Sequence, residues 1–197
     1  MSFFFADVKD VQNRVREAME RGAVTPYYGL DLPQAYEVLN AALASEIVCV
    51  LRYKQHYFGT TGIHREALRN IFKEHWQDEE AHLMRIAERL KQLGGLPNFA
   101  PAGLGERSVS PFATGQTLAE LLREDLLAER VVVKIYGDVI NFFGTGDPVT
   151  RRIFEEILAD EEDHADDLAD LLYTLDPGSG RVAEAFTGDS AFTKMLS

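Results

Sequence analysis

Two five-residue phrases decide how this chain reads: "DEEAH" at residues 78–82 and "DEEDH" at residues 160–164. They differ at one position, in a chain of 197 residues that holds five histidines. Each puts a Glu three residues before a His, Glu79 with His82 and Glu161 with His164. On a helix such residues are neighbours, with Cβ atoms about 5–6 Å apart. One cation can take two ligands from a single helix at that spacing. With 18 Glu and five His in the chain, one such pair arises by chance about half the time. The weight therefore lies in the second copy and in what surrounds both.

The surroundings are helical. Strand signals are nearly absent, and four long stretches carry apolar residues at helical spacing. The first runs from about Leu32 to Phe58, with Leu39, Leu43, Val50, Tyr53 and Tyr57 on one stripe, and "GTTG" at 59–62 stops it. The second runs from about His64 to Leu93, with Leu68, Phe72, Ile86, Leu90 and Leu93 aligned, and ends at "GGLP". The third spans about Thr117 to Phe143 and closes at "GTGDP". The fourth starts behind Asp147 as N-cap, with Pro148 in its first position, and reaches about Leu175. Short turns join the first helix to the second and the third to the fourth, so each pair forms a hairpin. Residues 94–114, rich in Gly, Pro and Ser, are long enough to cross between them. The expected fold is all-α: an antiparallel four-helix bundle with one long crossover between helices two and three. Residues 1–33 form an N-terminal extension with a short amphipathic helix within 6–21, residues 34–176 the bundle, and residues 177–197 a tail. The tail has room for a short helix at Val182–Phe186, and Phe3, Phe4 and Phe5 need cover.

Both Glu-His pairs interrupt apolar stripes, Glu79 and His82 between Phe72 and Ile86, Glu161 and His164 between Ile157 and Leu168. They should point into the bundle, where an ionised carboxylate is costly unless paired or metal-bound. Glu46 interrupts the first stripe between Leu43 and Val50, and Glu129 the third between Leu122 and Val132. The hairpins repeat in register: Glu46 and Glu129 lie 83 positions apart, while Glu79 and Glu161, and His82 and His164, lie 82 apart. A pseudo-two-fold would then bring all six to one level. Four carboxylates and two neutral imidazoles balance two divalent cations, and mixed oxygen and nitrogen ligation without sulfur suits iron or manganese better than structural zinc.

The remaining candidates read more plainly. His75 fits a satisfied core or site-edge histidine better than a seventh ligand, and His56 and His64 read as surface residues. Cys49, the lone cysteine, reads as a small buried filler and excludes an intrachain disulfide. Tyr53 and Tyr136 each follow a Glu by seven; packing is favoured for both over hydrogen bonding to a ligand or carrying an electron. The net charge of −12 repels phosphate backbones, so nucleic acid is not an expected partner. No apolar run approaches the ~20 residues of a membrane span, and the first residues do not read as a signal peptide. No membrane partner and a cytoplasmic address are expected.

The sequence resembles the bacterioferritin branch of the ferritin-like superfamily over about residues 35–175. "LNAALASEIVCVLRY", "DEEAHLMRIAERLKQLGGLPN", "LREDLLAERVV" and "ILADEEDHADDLADLL" look like its four helices in turn. The resemblance implies a ferroxidase that oxidises Fe(II) with O₂ or H₂O₂ at two Fe per subunit, with manganese as the alternative metal. It implies Glu46 and His82 as terminal ligands of one iron, Glu129 and His164 of the other, and Glu79 and Glu161 bridging both. Haem is not expected, because Glu80 stands where the branch has its haem-binding methionine. The extensions resemble those of Dps-like cages, so a homo-oligomeric cage of 12 or 24 subunits is expected. The other readings are a non-cage oxidase or peroxidase, rubrerythrin-like or manganese-catalase-like, and a metal-free helical module.

Overall fold

Asp31 opens the bundle by accepting the amide of Gln34 at 2.9 Å, with Pro33 in the first helical turn. The computed structural model describes residues 7–62 and 65–175. The helices are α1 (Val8–Arg16), α2 (Leu32–Gly59), α3 (Arg65–Gln92), α4 (Leu104–Arg107), α5 (Leu118–Phe143) and α6 (Pro148–Leu175), and the described residues contain no strand. A single 3₁₀ turn, Met19–Arg21, follows α1. The Val182–Phe186 helix, Phe3 to Phe5 and His64 lie outside the described residues.

The expected punctuation operates. Gly94, at φ 87°, takes the left-handed conformation that ends α3, and the Gly95 amide reaches back to the Leu90 carbonyl at 2.9 Å. Thr117 and Glu120 cap α5 reciprocally. Asp147 accepts the Thr150 amide at 2.9 Å to start α6. It also accepts both Arg89 Nη2 contacts, at 2.9 and 3.0 Å, and the Tyr28 hydroxyl at 2.9 Å. The turn between α5 and α6 is thereby tied to α3 and to the segment preceding α2.

α2 packs along α3 and α5 along α6, as two hairpins that meet at α3 and α6. The crossover is strapped to α2. Tyr36 Oη donates to the Leu93 carbonyl, Asn40 Oδ1 accepts the Asn98 amide and Ser45 Oγ accepts the Val109 amide. α4 is a short helix within the stretch expected to be only a connection.

By length and composition α2 is apolar enough to cross a membrane, with mean hydropathy 1.2 over an 18-residue window. Yet 56% of that window is buried in the bundle, and it carries the buried Glu46 and Arg52, so it serves as the core helix.

The core has two apolar clusters. One gathers Leu39, Leu43, Ile86, Val132, Phe143 and Ile157, the other Tyr53, Phe72, Leu122, Leu126 and Leu168. On every long helix one buried acidic residue falls between a member of each cluster: Glu46, Glu79, Glu129 and Glu161. The clusters therefore close a polar layer from both ends.

Asp147 is buried and holds a buried guanidinium, so Asp147→Ala should cost about 3–5 kcal/mol, because Arg89 loses its counter-charge. Thr117→Ala removes one side of a solvent-facing cap and should cost only about 1 kcal/mol. Urea denaturation midpoints check the ranking.

Candidate metal centre

All six expected residues meet in the polar layer. Ligand-type atoms of Glu46, Glu79, His82 and Glu161 lie within 4.8 Å of one another, and so do those of Glu79, Glu129, Glu161 and His164. The two groups share Glu79 and Glu161. All six side chains are buried.

Hydrogen bonding divides them into two kinds. Tyr136 Oη donates to Glu46 Oε1, and Tyr53 Oη and Arg52 Nη2 donate to Glu129 Oε1. Glu46 Oε2 and Glu129 Oε2 have no hydrogen-bond partner, and neither does either oxygen of Glu79 or Glu161. The histidines behave alike. His82 Nε2 lies 3.1 Å from Asp160 Oδ2 and His164 Nε2 lies 3.4 Å from Asp78 Oδ2. Both Nδ1 atoms are buried without a hydrogen bond. They face the carboxylates at longer range: His82 Nδ1 is 3.3 Å from Glu161 Oε1, and His164 Nδ1 is 3.6 Å from Glu161 Oε2. Native interiors rarely leave so many polar atoms unsatisfied. Each is of a kind that can ligate a metal, and every one of the six residues contributes an atom to the two close groups, so the donor set fits divalent cations with oxygen and nitrogen ligation.

The electrostatics reflect the crowding of four buried carboxylates. Burial, reinforced by Glu46, pushes Glu79 up to about 8. Burial and Glu79 likewise raise Glu161 and Glu129, against the nearby Arg52 in the case of Glu129. Burial opposes charge on His82, but the carboxylates of Glu161, Glu46 and Glu79 outweigh it and push its pKa far up. Burial, then Glu129 or Glu46, also raises Tyr53 and Tyr136, which keeps both phenols protonated as donors.

Three sequence expectations need correction. His56 is not on the surface: it is 1% exposed, with Nδ1 2.8 Å from Asp125 Oδ2 and Nε2 3.2 Å from the Ala113 carbonyl. The crossover folds over it, which helix periodicity cannot register. His75 sits at the site edge, as expected, but is not satisfied. Neither ring nitrogen makes a hydrogen bond, the nearest acid oxygen, Asp167 Oδ2, is 3.6 Å away, and the ring stacks on His164 at 4.2 Å. Burial and His164 lower its pKa to about 3. Tyr53 and Tyr136 do more than pack, because each bonds the glutamate of the opposite hairpin. Cys49 is buried, as expected, and donates to Ser110 Oγ at 3.2 Å.

Sequence reasoning missed Arg52 and Asp125, both fully buried. Arg52 Nε donates to Asp125 Oδ1 at 2.8 Å and Nη1 to Ser110 Oγ at 2.9 Å. The available signal was spacing: Asp125 precedes Glu129 by four, and His56 follows Arg52 by four.

A buried carboxylate and imidazole cluster at the waist of four long helices defines a class of bundles that can hold metal ions between their helices. The chain belongs to the ferritin-like domain family, whose sequence model matches residues 36–176. A bacterioferritin of Brucella melitensis is 33% identical over 139 residues, 68% of this chain and 80% of that one. A nutrient stress-induced DNA-binding protein of Synechococcus is 31% identical over 144 residues, 71% of this chain and 81% of that one. Among solved structures, the dodecameric thioferritin of Bacteroides fragilis, a bacterioferritin-related protein, superposes with a TM-score of 0.72 at 26% identity, covering 87% of this chain and 96% of that one.

The folded state holds protons on Glu79, Glu161 and Glu129 that the unfolded chain releases near the ordinary Glu value of 4.5. Their raised pKa values stabilise the metal-free protein fully below that value; the Glu79 contribution is lost as pH rises through about 8, and Glu161 and Glu129 act in the same direction. The melting temperature of the metal-free protein should therefore fall across that window. Added divalent cation, which replaces the protons, should stabilise more as pH rises. Thermal melts with and without cation measure both trends.

Proposed function

We propose that this chain is a ferroxidase that takes Fe(II) as substrate and serves iron storage or detoxification in a homo-oligomeric cage. The observation that carries the reading is the division of carboxylate oxygens. Glu46 and Glu129 each keep one oxygen free, whereas Glu79 and Glu161 keep both free and belong to both ligand groups. In this reading Glu46 with His82 holds one iron, Glu129 with His164 the other, and Glu79 and Glu161 span the two. Two Fe(II) supply two electrons to O₂, which with two protons leaves as H₂O₂; with H₂O₂ as oxidant, two protons and the same electrons give two waters.

The chain's own part is positioning. Tyr136 and Tyr53 fix the outer oxygens of Glu46 and Glu129. Asp160 and Asp78 accept from His82 Nε2 and His164 Nε2, the tautomer that turns each Nδ1 lone pair inward. The two apolar clusters exclude bulk water from both ends of the layer. The surplus of acidic residues, 32 against 20 basic, concentrates Fe(II) near the protein.

The bacterioferritin relatives and the dodecameric neighbour support the cage, with 12 or 24 subunits. The Synechococcus relative is named for DNA binding, but the net charge of −12 here does not favour that partner. Glu80 forms an ion pair with Lys54 and offers no thioether, so the reading includes no haem.

Aerobic Fe(II) addition followed by Fe(III) absorbance, oxygen uptake and native mass tests the reading. The expected result is rapid oxidation by a particle of several hundred kilodaltons that retains many irons per chain. Glu79→Ala and Glu161→Ala should each slow oxidation by at least about 100-fold. Undiminished oxidation in both would sink the site, and a dimer retaining only two metals per chain would sink the cage.

A further inference from the structure

The two halves of the site are not equal. Much of their surroundings matches: each terminal glutamate accepts a tyrosine hydroxyl, and each histidine Nε2 faces an aspartate. The difference is a buried ion-pair network on one side only. Glu129 Oε1 accepts Arg52 Nη2 at 2.9 Å in addition to Tyr53. Arg52 is held by Asp125 at 2.8 Å, by Ser110 Oγ at 2.9 Å and by the Pro111 carbonyl at 3.2 Å, and Asp125 is in turn braced by His56 at 2.8 Å. The 83-residue repeat places Ile135, Ala42 and Val139 at the positions matching Arg52, Asp125 and His56. No counterpart of the network can form beside Glu46.

We infer that this network makes the two metal positions unequal, a divalent cation binding more tightly between Glu46 and His82 than between Glu129 and His164. The inference rests on the metal-binding reading given above. A charged donor withdraws electron density from the carboxylate it bonds, and a buried guanidinium repels an incoming cation across a medium of low dielectric. Asp125 offsets part of that charge, but its Oδ1 is turned to Arg52 and its Oδ2 to His56. His75, stacked on His164, adds no counter-charge there. Arg52 acts through Glu129 and is a positioning residue. The consequence for function is ordered loading, the Glu46 and His82 position filling first and the other exchanging its ion more readily.

Two cations in one site repel each other, so two binding steps in the parent protein would not distinguish unequal positions from equal ones. The experiment therefore isolates each position. Metal-free protein is titrated anaerobically with Co(II), followed by visible absorption and native mass spectrometry, in His82→Ala and in His164→Ala. His164→Ala, which keeps the Glu46 position, should bind Co(II) at least about tenfold more tightly than His82→Ala. Adding Arg52→Gln with Asp125→Asn, which removes the opposed charges together, should tighten binding about tenfold in the His82→Ala background and leave the His164→Ala background unchanged. Equal affinities of the two histidine variants, or the reverse order, would overturn the inference. So would natively folded triple variants in which the Arg52 and Asp125 changes have no effect; if those variants fail to fold, the two histidine variants decide alone. Parent protein that takes up no Co(II) would sink the metal-binding reading itself, a different outcome from two equal positions.

Discussion

Four buried carboxylates turned toward one space cannot all keep their charge without a partner, and the surrounding structure is organised around that constraint. Isolated charges of this kind cost several kcal/mol each when removed from water. The protein answers in two ways. Outer oxygens of Glu46 and Glu129 are bonded to Tyr136, Tyr53 and Arg52, while the inner oxygens and both Nδ1 atoms are left for an ion. In the absence of an ion, protons take its place on Glu79 and its neighbours. The apolar clusters on either side make the arrangement stricter, because they deny the carboxylates water.

Repetition of a hairpin is an economical route to such a site. One helix supplies a glutamate, the next supplies a Glu and His one turn apart, and a second copy completes the shell. The tyrosines show how closely the copies interlock. Tyr53 follows Glu46 by two turns on its own helix, yet its hydroxyl bonds Glu129 on the other hairpin, and Tyr136 returns the bond to Glu46. Each half thereby orients a buried glutamate of the other.

The bundle and the six clustered Glu and His residues were legible because both announce themselves locally. Helix limits came from caps and glycines, agreeing with the structure to within a residue at most ends, and the six residues stood out as Glu and His on apolar stripes. What could not be read depends on contacts between distant segments. Arg52 on α2 and Asp125 on α5 are 73 residues apart, and each taken singly looks like one more charge on an acidic chain. His56 lies in the last turn of α2, where a sequence implies exposure; only the crossover arriving above it makes it a buried residue. The pairing of each tyrosine with the opposite hairpin was hidden for the same reason, since a spacing of seven relates it only to its own helix.

The crossover also sets the two halves of the site apart. Each hairpin closes through a short turn, so most of its helix pairing joins segments adjacent in the chain. The Arg52 corner differs. It draws Asp125 from α5 and Ser110 and the Pro111 carbonyl from the long connection, which is itself strapped to α2 through Tyr36, Asn40 and Ser45. The surroundings of Glu129 therefore draw on three separate segments of the chain, whereas Glu46 takes its hydroxyl donor from the opposite hairpin alone.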